Sequence, residues 1–246
     1  MLPRSSSLFH FTKSMDVLKA VLKDGFWPRY CLEDIQWQGH EGLEFVAFPM
    51  VCFCDIPIGR ISEHVDFYGS FGIGLTKEWG AKNNLNPVMY FAADNPLHGA
   101  VKSLTQVVQS LSDENEKKAG LQHVRYVLSY SKPTMGRMIV SGVPVTKQFY
   151  QESEWRFVPR HEKVLDCLRM NDFQDGAKLT ACNGKTAELC RLKFLPTDVR
   201  YIFVPTDSDI PAIMNFLQSE LDSYPNADLK VLMSRVTSLE SMKHDV

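Results

Sequence analysis

The sequence predicts a mixed fold: one α/β or α+β domain carrying insertions. Three observations lead there. At 246 residues the chain is long for one small domain and short for two full ones. A composition of 44% hydrophobic and 23% charged residues is that of an ordinary globular protein able to bury a sizeable core. Short β-branched or aromatic runs also alternate along the chain with capped segments of helical periodicity.

The elements follow in order. Leu8-Phe9-His10-Phe11-Thr12 is a strand. Ser14 then N-caps a helix with Asp16 in its first turn, Val17, Leu18, Val21 and Leu22 on its apolar side, and Gly25 at its end. Phe26 to Tyr30 is extended around Pro28. Gln36 to Glu44 is a polar loop. Met50 to Asp55 is a buried strand ended by Ile56-Pro57, and Ile58 to Phe67 is a helix. Tyr68 to Leu75 is a glycine-rich turn entering a strand, followed by a helical turn at Lys77 to Ala81 and a strand at Asn86 to Phe91. A helix runs from Leu97 to Leu111. Ser112 to Lys118 reads as a charged linker, and Leu121 to Ser129 as further helix. Through Tyr126 to Pro133 helix and strand are hard to separate. Phe149 to Val158 is a loop entering a strand. Val199 to Pro205 is a strand, Asp207-Ser208-Asp209 caps a helix from Ile210 to Leu221, and Lys230 to Ser234 is a last strand. No internal repeat is present.

A net charge of −2 and a pI near 6.4 argue against coating nucleic acid by bulk charge, though not against a local site. No run of about 18 apolar residues predicts a membrane span. The first seven residues lack the apolar segment of a secretory signal and read as a flexible lead-in. Cys31, Cys52, Cys54, Cys167, Cys182 and Cys190 contain no C-x-x-C pair, and Cys52-x-Cys54 alone is short of a zinc ligand set. Reduced, mostly buried thiols in a cytoplasmic protein are expected, with no metal.

The phosphate-loop, nucleophile-elbow and H-E-x-x-H patterns are absent, and Gly69, Gly72 and Gly74 do not make G-x-G-x-x-G. Three features remain. His10 and Thr12 share one face of the first strand; a lone histidine there is more often a buried imidazole bonded to backbone. Tyr68-Gly69-Ser70-Phe71-Gly72 joins aromatics to glycines, and by itself is a tight turn over core rings. Glu152-x-Glu154 precedes Trp155-Arg156. On an extended segment these carboxylates face one side, where like charges are costly unless bound or raised in pKa. The plain alternative is a solvated edge with Glu154 paired to an arginine.

Together these features resemble the ADP-ribosyltransferase fold and, more closely, the abortive-infection AbiGi family of bacterial phage-resistance proteins. The resemblance is carried by Leu8 to Thr12, Gly25 to Cys31, Met50 to Pro57, Tyr68 to Trp79, Asn86 to Val88 and Glu154 to Pro159, about two-thirds of the chain. It implies an α+β domain over 1–246, with an ADP-ribosyltransferase-like split mixed β-sheet, flanking helices and an NAD cleft. His10, helped by Thr12, would hold the adenosine-side ribose, and Arg29 a phosphate of NAD. Tyr68 and Phe71 would stack on nicotinamide. Glu154 would be catalytic, bonding the nicotinamide ribose and stabilising its oxocarbenium-like transition state. Glu152, or Gln151, would meet the acceptor. Asp55, Arg60 and His64 are weaker cleft candidates.

The expected function is therefore an NAD-dependent ADP-ribosyltransferase, the toxin of an antiphage toxin–antitoxin-type system. It would modify a macromolecular acceptor, protein or single-stranded nucleic acid, and be held by a cognate antitoxin. Arg156, Arg160, Lys163 and Arg169 form a modest basic run after the catalytic segment, which is usually a solvated face. A competing reading is a cleft that hydrolyses NAD without an acceptor. Another is a catalytically silent antitoxin that neutralises a partner toxin, the role named in the family's own label. The joint presence of His10 and Glu154 places the transferase first.

Overall fold

A computed structural model describes residues 5–39, 43–140 and 143–242, apart from the side chains of Glu63 and Val140. The lead-in expected at the N-terminus lies outside the described residues as far as residue 4, as does the middle of the Gln36 to Glu44 loop. In chain order the elements begin with β1 (Ser7–Thr12), α1 (Met15–Asp24), β2 (Arg29–Asp34), β3 (Phe45–Cys54), α2 (Ser62–Tyr68), β4 (Phe71–Thr76), α3 (Lys77–Lys82), β5 (Asn86–Pro87) and β6 (Met89–Phe91). Next come α4 (Leu97–Gln109), α5 (Glu114–Ser129), β7 (Ser131–Pro133), β8 (Met135–Val140), β9 (Val143–Gln148), β10 (Glu154–Phe157) and β11 (Leu168–Arg169). Last are α6 (Met170–Gln174), α7 (Gly176–Leu189), β12 (Val199–Val204), α8 (Ile210–Glu220), α9 (Asn226–Met233), β13 (Val236–Ser238) and α10 (Leu239–Met242). The fold is mixed α+β, with parallel and antiparallel strand pairs and flanking helices, as the sequence predicts at that level.

The chain divides into two compact units. The first comprises Met1–Trp27, Cys52–Leu85 and Arg191–Val246, and the second Pro28–Val51 and Asn86–Cys190. In the first unit β1 pairs antiparallel with β4 from Ser7↔Thr76 to Thr12↔Phe71, and β4 pairs antiparallel with β12. β12 pairs parallel with β13, a crossover carried by α8 and α9 as parallel neighbours require. Phe9 and Phe11 of β1 and Phe203 of β12 form one buried cluster with Ile56, Ile61 and Leu239, and Tyr68 and Tyr201 pack against it. Ser14 caps α1 by accepting from Asp16 N–H at 3.2 Å, as its sequence position predicts.

In the second unit β3 pairs antiparallel with β2 from Arg29↔Met50 to Asp34↔Phe45, and with β11 at Leu168↔Ala47. Burial of both faces explains why Phe45 to Val51 reads as a continuous apolar run rather than an alternating one. β10 pairs antiparallel with β5, β6 pairs parallel with β7, and β8 and β9 form a hairpin.

Several elements differ from expectation. The last strand expected at Lys230 to Ser234 is instead the end of α9 and its cap at Ser234; Leu229 and Leu232 bury themselves three residues apart and Val231 stays exposed. The strand that closes the first unit is instead β13. A short apolar run cannot separate the two periods by itself. The charged linker at Ser112 to Lys118 is largely the start of α5. Asp113 caps it, accepting from the N–H groups of Asn115 at 2.8 Å and Glu116 at 2.9 Å, and Glu114 and Glu116 favour its N-terminus. Ile58 to Phe67 is a 3-10 turn followed by α2, and Asn86 to Phe91 is split into β5 and β6. Among the described residues no helix is long and apolar enough to cross a membrane.

Candidate functional site

The sequence-predicted site residues fall into both units. His10, Thr12, Tyr68 and Phe71 belong to the first unit, and Arg29, Glu152 and Glu154 to the second.

In the first unit His10 sits on β1 with its ring edge-on to Phe26 at 5.1 Å and tilted against Phe53 at 5.7 Å. Its Nδ1 lies 2.8 Å from the Cys52 carbonyl. A carbonyl only accepts, so Nδ1 carries the proton. This is the backbone-bonded imidazole that a lone histidine usually makes, here half-buried. Burial holds its pKa below the ordinary 6.5, against the opposing pull of the Cys52 carbonyl. Thr12 ends β1 opposite Phe71. Tyr68 closes α2, its ring 5.3 Å from His64 and 4.8 Å from Phe67, and packs on the core. Asp55 bonds Lys77 at 2.6 Å, and Arg60 is exposed.

The depressed His10 pKa sets a pH dependence. The fold holds the ring neutral while the unfolded chain protonates near 6.5. The associated stability is therefore complete above that pH and drains as pH falls toward the lower folded value. Replacing His10 with Gln should flatten this slope. Denaturant midpoints at pH 7.5 and 5.5 should lie closer together in the variant than in the parent, and equal separations would remove His10 as the source.

The second unit gathers the charged residues. Glu154 opens β10 and Arg156 follows two residues later on the same buried face, Arg156 being 0% exposed. Arg156 Nε donates to Glu154 Oε1 at 2.6 Å and its Nη2 to Glu33 at 2.9 Å. Its Nη1 donates to the Ser129 carbonyl at 2.5 Å. Lys132 on β7 donates to Glu154 Oε2 at 2.8 Å, approaches Glu152 at 3.6 Å and Glu33 at 3.9 Å, and lies 4.3 Å over the Phe149 ring. Lys147 on β9 holds Glu152 at 2.6 Å. Three carboxylates thus face three cations across five segments of the chain. Burial alone would lower the Lys132 pKa, but Glu154 and Glu33 outweigh it and hold the ammonium above the usual lysine range. Burial and the Glu33 charge push the neighbouring Cys31 thiol up to about 11, so it is a thiol and not a thiolate at neutral pH.

Glu152 and Glu154 do converge, though not as alternating positions of one strand. Glu152 ends a 3-10 turn, Ser153 takes a left-handed conformation at φ 44°, and the strand begins only at Glu154. The pair two residues apart on one strand face is Glu154 with Arg156. Both oxygens of Glu154 are engaged by cations, and its main-chain N–H donates to the Tyr90 hydroxyl at 2.9 Å. The arginine partner foreseen for Glu154 is present, but buried rather than solvated. The basic run loses its first member for the same reason. Arg29 opens β2 at an exposed position, and Gln151 is bonded to Gln148 at 2.8 Å. Sequence reading missed Glu33, Lys132 and Lys147. The available signal was Lys132 between Ser131 and Pro133, a charge inside a segment too apolar to be a solvated loop.

A second feature of this unit is α4. Leu97, Leu104 and Val107 are 56%, 64% and 61% exposed, while Thr105 is its buried residue. At 100° per residue the three fall within an arc of about 80°, with Thr105 on the opposite side of Leu97.

Comparison with known proteins gives two matches. The family model described as "Putative abortive phage resistance protein AbiGi, antitoxin" matches residues 24–205. A relative named "Abortive phage resistance protein AbiGi", from Lactococcus lactis subsp. cremoris, is 26% identical over 246 residues, 89% of this chain and 99% of its own length. No solved structure matches. The family match covers well over half of the chain, so the chain belongs to the AbiGi family. This overturns the expectation of an ADP-ribosyltransferase toxin. The family's description names an antitoxin, and nothing in either match names an enzyme. The error lay in weighing His10 and Glu154 as a catalytic set above the family label.

Proposed function

We propose that this member of the AbiGi family acts as a non-catalytic antitoxin, binding and neutralising a protein partner of a bacterial antiphage system. The observation that carries this reading is the exposed apolar stripe of α4. A helix that packs through Val101, Thr105 and Val108 yet also presents Leu97, Leu104 and Val107 to solvent departs from an ordinary surface helix, whose outward face is polar. Contiguous exposed apolar residues of this kind mark protein interfaces. With Lys102 the only Lys, Arg, Asp or Glu between Leu97 and Gln109, the stripe fits an apolar helix or groove of the partner rather than a charged surface. The family's antitoxin label supplies the nature of that partner. In this reading the Glu33, Lys132, Glu152, Glu154 and Arg156 cluster is scaffold: it ties β2, β7 and β10 together beneath the surface.

Growth assays separate this reading from its rivals. Expression of the chain alone should leave growth unaffected, and co-expression with the growth-arresting protein of the same system should restore growth. Leu104→Glu should abolish the rescue and weaken the purified complex at least tenfold in Kd, the effect of forcing a charge into an apolar contact, while its unfolding midpoint stays near the parent's because the position is exposed. Growth arrest by the chain alone, or full rescue by Leu104→Glu, would sink the proposal.

A further inference from the structure

We propose that the second unit contains a binding site for a small phosphate-bearing ligand, in the cavity between α5 and the segment that follows β10. The cavity holds about 300 Å³ and is walled by Arg125, Tyr126, Ser129, Arg160, His161 and Asp166, among others. That volume lies at the small end of ligand pockets and admits a molecule of mononucleotide size.

The chemistry of the wall selects an anion. Arg160 lies with its guanidinium carbon 4.8 Å from the Tyr126 ring centre, so the ring supports the flat group. Among the described residues no carboxylate is paired with it. A stacked guanidinium keeps its N–H edge available for bidentate contact with phosphate oxygens. His161 adds a second donor. The Lys163 main-chain N–H donates to His161 Nδ1 at 3.2 Å, which leaves the ring proton on Nε2. The acid Asp166 is held by Arg125 Nε at 2.7 Å, which removes its charge as an obstacle. Glu162 is the opposing charge left on the rim.

Of the basic run noticed in the sequence, Arg156 is buried in the charge cluster and Lys163 is not among the cavity's lining residues. Arg160 alone of the four enters this wall. With Arg125 tied to Asp166, Arg160 is the arginine left to meet a ligand; a single such group reads a compact phosphate rather than a nucleic-acid backbone, which is tracked by a row of basic groups. The inference stands apart from the antitoxin reading, since it uses neither α4 nor a protein partner.

Isothermal titration of the full chain with inorganic phosphate and with a nucleoside monophosphate tests it. Saturable binding of at least one is expected. Arg160→Ala should weaken it at least tenfold, Arg160→Lys should weaken it less, and Glu162→Gln should tighten it. Lys163→Ala keeps the main-chain N–H that serves His161 and removes only an exposed side chain outside the cavity, so it should leave binding unchanged. Arg160 is itself exposed, so its variants should keep the parent's thermal midpoint. Equal affinity for the two probes means the site reads phosphate alone, and tighter nucleotide binding means the remaining cavity contributes; both support the site. No saturable binding at millimolar concentration overturns the proposal. So does an Arg160→Ala protein that binds like the parent, or a Lys163→Ala protein that loses as much as Arg160→Ala.

Discussion

Arg156→Ala should lower the unfolding free energy by about 3–5 kcal/mol, the cost of removing one partner from a buried ion pair. The arginine is fully buried and holds Glu154 on one side and Glu33 on the other. Deleting it leaves three carboxylates facing Lys132 and Lys147 and removes the donor to the Ser129 carbonyl. The unpaired carboxylate raises its pKa until it takes up a proton. The sign follows: an acid whose folded pKa is raised loses stability as pH rises through the carboxylate range, so the variant's deficit should be largest at neutral pH and shrink toward pH 4. Urea unfolding followed by circular dichroism at both pH values measures it. Replacing Glu33, Lys132, Glu154 and Arg156 together with apolar residues of similar size removes as many acids as bases, leaves Glu152 to Lys147, and should recover most of the loss, because buried ion clusters are often matched by good apolar packing. A deficit under about 1 kcal/mol in Arg156→Ala would mean that water reaches the cluster and that its charges are not truly internal.

This cluster also shows what could be read beforehand and what could not. Glu154 was legible as an unusual carboxylate because Trp155 and Phe157 flank it and Arg156 on a short apolar strand. Its partners were not. Glu33 and Lys132 lie 121 and 22 residues away in sequence, and their meeting depends on β2, β7 and β10, which are six, three and four residues long and read weakly. The strands of the first unit were clearer: Leu8 to Thr12 and Val199 to Pro205 carry β-branched or aromatic residues through their length, and both became strands. Where a segment's period was ambiguous, tertiary burial decided it, as Leu229 and Leu232 did for α9. The function failed to follow from the residues because His10 and Glu154 each satisfy a plain structural need, one bonding a carbonyl and the other two cations. Their presence did not distinguish a catalytic set from a scaffold.

Gly69→Ala is the second large effect expected, and it concerns the glycine first noticed as part of a ligand-stacking cluster. Gly69 ends α2, donating its N–H to the Val65 carbonyl at 2.9 Å, with φ 118° and ψ 164°. That region is essentially closed to residues with a Cβ. Space is closed as well: an added Cβ would lie 2.3 Å from the Thr12 carbonyl oxygen, 2.4 Å from its carbon and 2.5 Å from the Lys13 nitrogen. All three are backbone atoms at the end of β1, so no side-chain rotation relieves the clash. Relief requires either β1 to part from β4 at the Thr12↔Phe71 pair or α2 to shift off Phe11 and Phe203. The expected loss is about 3 kcal/mol, the upper range for strained backbone. Gly99→Ala serves as the control, since an added Cβ there meets nothing within 4 Å and alanine favours the α4 helix by roughly 1 kcal/mol. Hydrogen exchange gives the sharper reading: in Gly69→Ala the amides of β1 and β4 should lose protection while those of β2 and β3 up to Val51 keep it. A loss of protection spread evenly over both sets would show that the strain is not confined to the β1–β4 pair.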